Sequence, residues 1–186
     1  HVVDHMESVL PADDGGIAGL RTRAHGVLEA DLFVDCSGLR ALLIGEHFGV
    51  KKIGCADVLF NDRAMALQVD HATPDAPVAC QTISTAHAHG WTWDIGLPTR
   101  RGLGYVYSSA DCSDDEAADT LLAYARRTGA PAHSLQAAPR RILLDPGYRR
   151  ECWVHNCVAI GLSSGFVEPL EASSLVLVEL AAAALA

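Results

Sequence analysis

Short apolar runs broken by glycine, proline and aspartate dominate this chain, and within them apolar side chains tend to recur every second residue. That period belongs to strands. Val2–Leu10 reads as a strand, followed by the turn signal Asp13-Asp14-Gly15-Gly16, a strand over Ile17–Arg23, a turn at His25-Gly26 and a strand over Val27–Cys36. The end of the last run, Leu32-Phe33-Val34-Asp35-Cys36-Ser37-Gly38, has the pattern of a buried strand meeting a small-residue turn, with a short helix predicted over Leu39–Phe48. Further strands are expected at Arg63–Val69, Val78–Ala86, Trp91–Leu97 and Leu103–Ser108. Trp91, Trp93, Ile95 and Leu97 fall on one face of theirs. Ser113-Asp114-Asp115-Glu116 is a capping box that opens a helix through Arg127, with Gly129 as its stop. Strands near Arg140–Leu144 and Tyr148–Val154 lead to the last pattern: an apolar strand at Val158–Ile160, the small-residue turn Gly161–Gly165, an apolar segment holding Glu168, Pro169 and Glu171, and a helix. The sum predicts a mixed α/β (α+β) fold with a substantial antiparallel sheet.

Composition narrows the function classes. The chain has 186 residues, 49% hydrophobic and 20% charged, with a net charge of −9. These values fit a folded domain with a real core and argue against a nucleic-acid surface. The most apolar stretch, Leu175–Ala186, is interrupted by Glu179 and is too short to span a bilayer. The six cysteines, at 36, 55, 80, 112, 152 and 157, form no C-x-x-C pair, so no metal site is spelled out and buried free thiols in a cytoplasmic protein are expected. The chain opens without methionine inside an apolar run and stops inside an alanine-rich helix with no terminator, the pattern expected of an internal fragment.

Several constellations could carry chemistry. Gly161-Leu162-Ser163-Ser164-Gly165 matches G-x-S-x-G, a nucleophile elbow, in a strand–turn–helix setting. No histidine follows His155, so a serine hydrolase using Ser163 is the lower alternative. His87 and His89 share a strand face but nothing nearby completes a metal site. Trp91 and Trp93 are either a sheet-packing pair or an aromatic wall of a dry site. Glu168 and Glu171, three apart, are either first-turn carboxylates with Pro169 in a first-turn position, or site acids in apolar surroundings.

Four segments, in order, carry a family resemblance: Asp31–Arg40, Gly90-Trp91-Thr92-Trp93-Asp94-Ile95, Gly102–Ser109, and Asn156–Gly161 running on through Glu168-Pro169-Leu170-Glu171. In these the chain resembles the flavin-dependent tryptophan halogenases over essentially its whole length. The resemblance implies a partial fold like that of the FAD-dependent aromatic hydroxylases: part of the dinucleotide-binding domain at residues 1–48, a substrate-side sheet and helix at 49–155, and a return to the FAD-binding domain at 156–186. It implies an enzyme that uses reduced FAD, oxygen and a halide ion to make hypohalous acid, relayed by a lysine to an electron-rich aromatic such as tryptophan or an indole.

The same resemblance assigns roles. Leu162, Gly165, Phe166, Val167, Glu168, Pro169 and Leu175 would lie along the flavin. Ser173 and Ser174 fall where backbone amides hold the halide. Glu171 falls at the carboxylate that assists the relay lysine or takes the ring proton. Trp91, Trp93 and Ile95 would form a wall keeping substrate off the flavin. The implied partners are a separate flavin reductase and a small aromatic substrate, with no nucleic acid and no membrane; assembly as a homodimer is left open. Gly96 stands where the family usually has proline, and Ala172-Ser173-Ser174 where it has Ser-Thr-Gly, which points to a diverged branch. The glycine-rich FAD motif and the relay lysine are expected upstream of His1, and the fragment alone is expected to be inactive. The alternative within the same fold is a flavin monooxygenase that does not halogenate.

Overall fold

The computed structural model describes the backbone of residues 1–186 and every side chain except that of Glu171. Its contacts divide the chain into two units, His1–Cys55 with Pro146–Ala186, and Ala56–Asp145. These bounds differ from 48 and 155 because Lys52–Gly54 pairs with Gly147–Arg149 and so belongs with the terminal segments.

In chain order, the first unit begins with the antiparallel strands β1 (Met6–Pro11), β2 (Ile17–Thr22) and β3 (Gly26–Leu28). Strand β4 (Phe33–Asp35) follows, and the single strand expected over Val27–Cys36 is therefore two. Each half has its own partner: β3 pairs with β2, and β4 with a strand near the C-terminus. The expected helix over Leu39–Phe48 is also split. Gly38–Arg40 forms a 3-10 turn and Leu42–His47 a π-helix, with Ala41 between them in the left-handed region at φ +46°. Asp35 holds that bend. Its buried carboxylate accepts hydrogen bonds from Ser37 Oγ (2.6 Å) and from the backbone N–H groups of Ser37, Leu43 and Ile44. Strand β5 (Lys52–Gly54) closes this part of the unit.

The second unit holds β6 (Arg63–Asp70), β7 (Ile83–His87), β8 (Gly90–Gly96), β9 (Arg100–Tyr107), helix α1 (Asp114–Arg127) and β10 (Arg140–Leu143). They form one antiparallel sheet in the order β10-β6-β9-β8-β7. Of the expected strand Val78–Ala86 only Ile83–Ala86 pairs with the sheet, and the pairing runs on to His87; the polar Gln81-Thr82 interrupts the apolar pattern before it. Helix α1 starts as its capping box predicts, with Ser113 Oγ accepting from Glu116 N at 3.2 Å, and it ends before Gly129 at φ +83°. Its apolar face, Leu121, Tyr124 and Ala125, packs on Met65, Leu67, Val69, Leu103, Tyr105 and Tyr107 of the sheet.

The chain returns to the first unit through β11 (Gly147–Arg149), β12 (Trp153–Val154), β13 (Cys157–Ala159), β14 (Gly165–Phe166) and helix α2 (Ser173–Leu185). The run Tyr148–Val154, expected as one strand, serves two sheets: β11 joins β14 and β5, while β12 joins β13 and β4. Strands β13 and β4 run parallel, Cys157 to Ala159 beside Phe33 to Asp35. This is the one parallel pairing among the described strands. All six cysteines are free, but only Cys112 and Cys157 are buried, while Cys36, Cys80 and Cys152 are exposed on turns and loops. The expectation of buried thiols holds for those two alone.

Candidate functional site

The parallel pair delivers the chain to the turn that begins at Ile160. Ile160 N donates to the Asp35 carbonyl at 3.1 Å, and Gly161–Ser163 then turns as a 3-10 segment with Gly161 at φ +74°. Ser163 is fully buried, and its hydroxyl lies against the carbonyl oxygens of Asp35 and Ile160, the latter at 2.9 Å. A nucleophilic serine needs an exposed Oγ on a strained turn and a base to take its proton. Ser163 has backbone acceptors on its hydroxyl, no exposure and no positive φ. The hydrolase reading is overturned. Ser163 instead ties the turn to the end of β4.

Beyond it, Arg149 binds the turn from below. Its Nε donates to the Ser163 carbonyl (3.1 Å), its guanidinium reaches the Val50 carbonyl (2.7 Å), and its own N–H donates to the Ser164 carbonyl (2.6 Å). Strand β14 then pairs with β11, Gly147 opposite Phe166 and Tyr148 opposite Gly165. The two backbones approach closely. A Cβ on Gly165 would lie 2.7 Å from the Gly147 carbonyl oxygen and 2.8 Å from Tyr148 Cα, so a larger residue would push the strands apart.

Between this turn and the first turns of α2 lies a cleft of about 350 Å³. Leu162, Phe166 and Val167 line it from the turn side and Ser174, Leu175, Leu177 and Val178 from the helix, with Gly147, Tyr148, Gly161, Ser164 and Gly165 completing it. Leu162 and Leu175 are 44% and 70% exposed, so large apolar side chains stand open on both sides of the cleft. None of the described lining residues is acidic or basic. One polar atom stands out: Ser174 Oγ is shut away from solvent and has no hydrogen-bond partner. Such an orphan calls for an explanation, because leaving a buried hydroxyl unpaired costs about 1–3 kcal/mol.

The residues singled out from the sequence fall as follows. Leu162, Gly165, Phe166, Val167, Ser174 and Leu175 line the cleft together. Glu168 and Pro169 precede the 3-10 turn Leu170–Ala172 and lie outside any helix, because α2 begins only at Ser173. They are not residues of its first turn. Ser173 is exposed at the helix start, its hydroxyl 3.4 Å from the Leu170 carbonyl. Ala172, in the left-handed region at φ +52°, is the capping residue, and its methyl side chain makes no cap hydrogen bond. The side chain of Glu171 lies outside the described ones. Gly147 and Tyr148 were missed. Their signal is cross-strand pairing with residues 165 and 166, which no local pattern reveals.

In the second unit, β8 carries Trp91, Trp93 and Ile95 on the sheet face away from α1, while Thr92 and Asp94 point under the helix and are buried. Leu97, expected on the same face, lies past the strand in the turn closed by Leu97 N to Arg100 O. The indole rings of Trp91 and Trp93 meet edge to face at 6.3 Å between centroids. Trp93 lies flat over Gly104, where a Cβ would run into its ring. Beneath, Asp94 pairs with Arg101 and accepts from Tyr124 Oη (3.1 Å), and Arg101 also donates to Thr128. That network anchors β8 to β9 and α1, and the Asp94 carboxylate raises the Arg101 pKa above its ordinary value. His87 and His89 do not converge: His87 bonds to Thr92 Oγ1 at 3.2 Å, and His89 lies 3.9 Å from Glu116.

Comparison with known proteins places the chain in a family. The family model described as tryptophan halogenase matches residues 1–186. A tryptophan 6-halogenase, SttH of Streptomyces toxytricini, is 42% identical over 94% of this chain and 32% of its own length. A tryptophan 7-halogenase, RebH of Lentzea aerocolonigenes, is 40% identical over 94% of this chain and 32% of its own. The crystal structure of a tryptophan halogenase from Shewanella frigidimarina superposes with a TM-score of 0.90 at 45% identity, over 100% of this chain and 35% of that one. The chain thus spans about a third of the length of these relatives, with their mixed α/β architecture and antiparallel sheets. Matched over its full length, it belongs to the tryptophan halogenase family.

Proposed function

We propose that this chain is the part of an FADH2-dependent halogenase that holds the isoalloxazine ring and the halide, in an enzyme acting on an electron-rich aromatic such as tryptophan or an indole. The observation that carries the reading is the cleft at the start of α2: open apolar walls, close-packed backbone at Gly147 and Gly165, and one unpartnered hydroxyl. A flat, largely apolar ring system with a polar edge suits those walls. Leu162, Gly165, Phe166, Val167, Glu168, Pro169 and Leu175 would hold the flavin, within a fold of the aromatic-hydroxylase type. When bound, reduced FAD supplies the electrons that turn oxygen into an oxidant of halide.

The chain's own residues then do four things. Leu162, Phe166 and Leu175 exclude water from the ring. The start of α2 at Ser173 and Ser174 offers amide dipoles to a halide. The Glu171 carboxylate takes the proton that an aromatic carbon loses on substitution, or assists the relay lysine. Trp91, Trp93 and Ile95 act as a wall on the substrate side. A separate flavin reductase supplies the reduced cofactor, and the setting is cytoplasmic; among the described residues no helix is long and apolar enough to cross a membrane.

The test uses the full-length protein with FAD, a flavin reductase, chloride or bromide and a panel of indoles, followed by mass spectrometry. The reading expects halogenated product, lost in Glu171→Gln with FAD binding retained. Hydroxylated product alone would replace it by a flavin monooxygenase of the same fold.

A further inference from the structure

Resting on the flavin reading of the cleft, we infer that Arg149 is a positioning residue for the cofactor. Its guanidinium, one backbone layer behind the cleft and without a carboxylate partner, favours the anionic reduced flavin over the oxidised one.

Successive residues of a strand point to opposite faces, so in β11 Tyr148 lines the cleft while Arg149 points behind it. There the guanidinium is seated among three backbone segments. Nε donates to the Ser163 carbonyl at 3.1 Å and Nη1 to the Val50 carbonyl at 2.7 Å. The third segment is Gly45 in the Leu42–His47 π-helix, where a Cβ would lie 2.8 Å from Nη2 and 3.1 Å from Cζ, so only bare backbone lets the cation sit there. Ser163 leads directly into Ser164 and Gly165, both on the cleft wall. The carboxylates on that side are held by other groups: Asp35 by Ser37, Leu43 and Ile44, and Glu46 by Arg40 at 3.6 Å. Among the described residues Arg149 thus bonds to carbonyl oxygens and to no acid. Carbonyl dipoles satisfy its N–H groups without cancelling its charge, which a guanidinium keeps at any pH where the protein is folded. The cleft wall itself has no described acidic or basic side chain, so nothing on it screens that charge. An oxidised isoalloxazine ring is neutral. Taking up two electrons and one proton makes it an anion, with N1 unprotonated. A fixed cation stabilises that anion and leaves the oxidised ring nearly untouched. At an effective dielectric near 20, a unit charge about 10 Å away shifts this equilibrium roughly tenfold.

The experiment uses the full-length protein as wild type, Arg149→Gln and Arg149→Lys. Each is measured for affinity towards oxidised FAD, for the two-electron potential of bound FAD against a reference dye, and for melting temperature. Arg149→Gln should lower the preference for reduced over oxidised FAD about tenfold, equivalent to about 30 mV, with oxidised FAD bound nearly as in wild type. Arg149→Lys keeps the charge but loses the planar fork, so its melting temperature should fall while its potential stays near that of wild type. A residue that only ties the turn together gives another pattern: both variants lose stability and FAD affinity, the potential is unchanged, and the assignment is overturned. Wild type supplies a check that does not depend on either variant folding. Its bound, reduced flavin should show the absorbance of the anion at a pH where free reduced flavin is neutral, and the neutral form there overturns the assignment. An unchanged potential in Arg149→Gln overturns this inference alone, whereas a wild-type protein that binds no FAD overturns the flavin reading with it.

Discussion

Replacing Gly104 by alanine tests how the tryptophan face is built. An added Cβ would sit well under 3.0 Å from three carbons of the Trp93 ring, and carbon–carbon contact begins near 3.5 Å, so the ring must withdraw by roughly 1 Å or more. Trp93 is not free to do so without moving Trp91, whose ring meets it edge to face. Overpacking of this kind costs about 1–3 kcal/mol, against which alanine recovers about 0.5–1 kcal/mol of backbone entropy in a strand. Gly102 is the built-in control. It occupies the same face of β9 two residues away, opposite Ile95, and nothing lies within 4 Å of its Cβ position. Gly102→Ala should therefore be neutral or slightly stabilising, and the two variants should differ by about 2 kcal/mol in urea unfolding. Near-ultraviolet circular dichroism should change for Gly104→Ala, as the indole pair is re-aimed, and not for Gly102→Ala. Equal stabilities within about 0.5 kcal/mol, with both spectra unchanged, would refute the packing described for the Trp91–Trp93 face.

Asp94→Ala leaves the Arg101 guanidinium with only Thr128 as a partner in a buried position, and should cost about 3–5 kcal/mol in chemical unfolding, whereas Asp94→Leu with Arg101→Met should recover much of that loss. Ser163→Ala should cost about 1–3 kcal/mol in stability, and wild-type Ser163 should stay unlabelled by a fluorophosphonate probe; labelling at Ser163 would reinstate the hydrolase reading. Burial alone would raise the Asp35 pKa, but hydrogen bonds from Ser37, Ile44 and Leu43 outweigh it and hold the carboxyl below its ordinary value. A depressed folded pKa stabilises above the unfolded value of about 3.9 and is lost as pH falls through the folded value, so between about pH 5 and 2 the wild-type urea midpoint should fall more steeply than that of Asp35→Asn.

Much of the second unit was legible because its signals are local. The capping box at Ser113 and the period-two pattern of β8 name α1 and the tryptophan face directly, and each forms as expected apart from Leu97. The breaks in the first unit were not legible, because pairing partners far along the chain decide them. Nothing near Val27–Cys36 says that its halves join different strands, and nothing near Asp35 says that its carboxylate will bend the following residues into a π-helix. Ser163 shows the converse failure: a local motif suggested a nucleophile, while a partner 128 residues away at Asp35 buries its hydroxyl. The cleft lies between these cases. Six of its lining residues were named from the terminal motif, but Gly147 and Tyr148 enter only through β-pairing, and the unpaired state of Ser174 Oγ is visible only in three dimensions.

The central claim is that the cleft at the start of α2 holds flavin and halide side by side. The most direct test is a crystal structure of the full-length protein with FAD and bromide, with data collected at the bromine absorption edge. The account predicts flavin density between Leu162 and Leu175 and an anomalous peak within hydrogen-bonding reach of Ser174. Flavin bound elsewhere, or a cleft that stays free of bromide while the flavin is present, would contradict it.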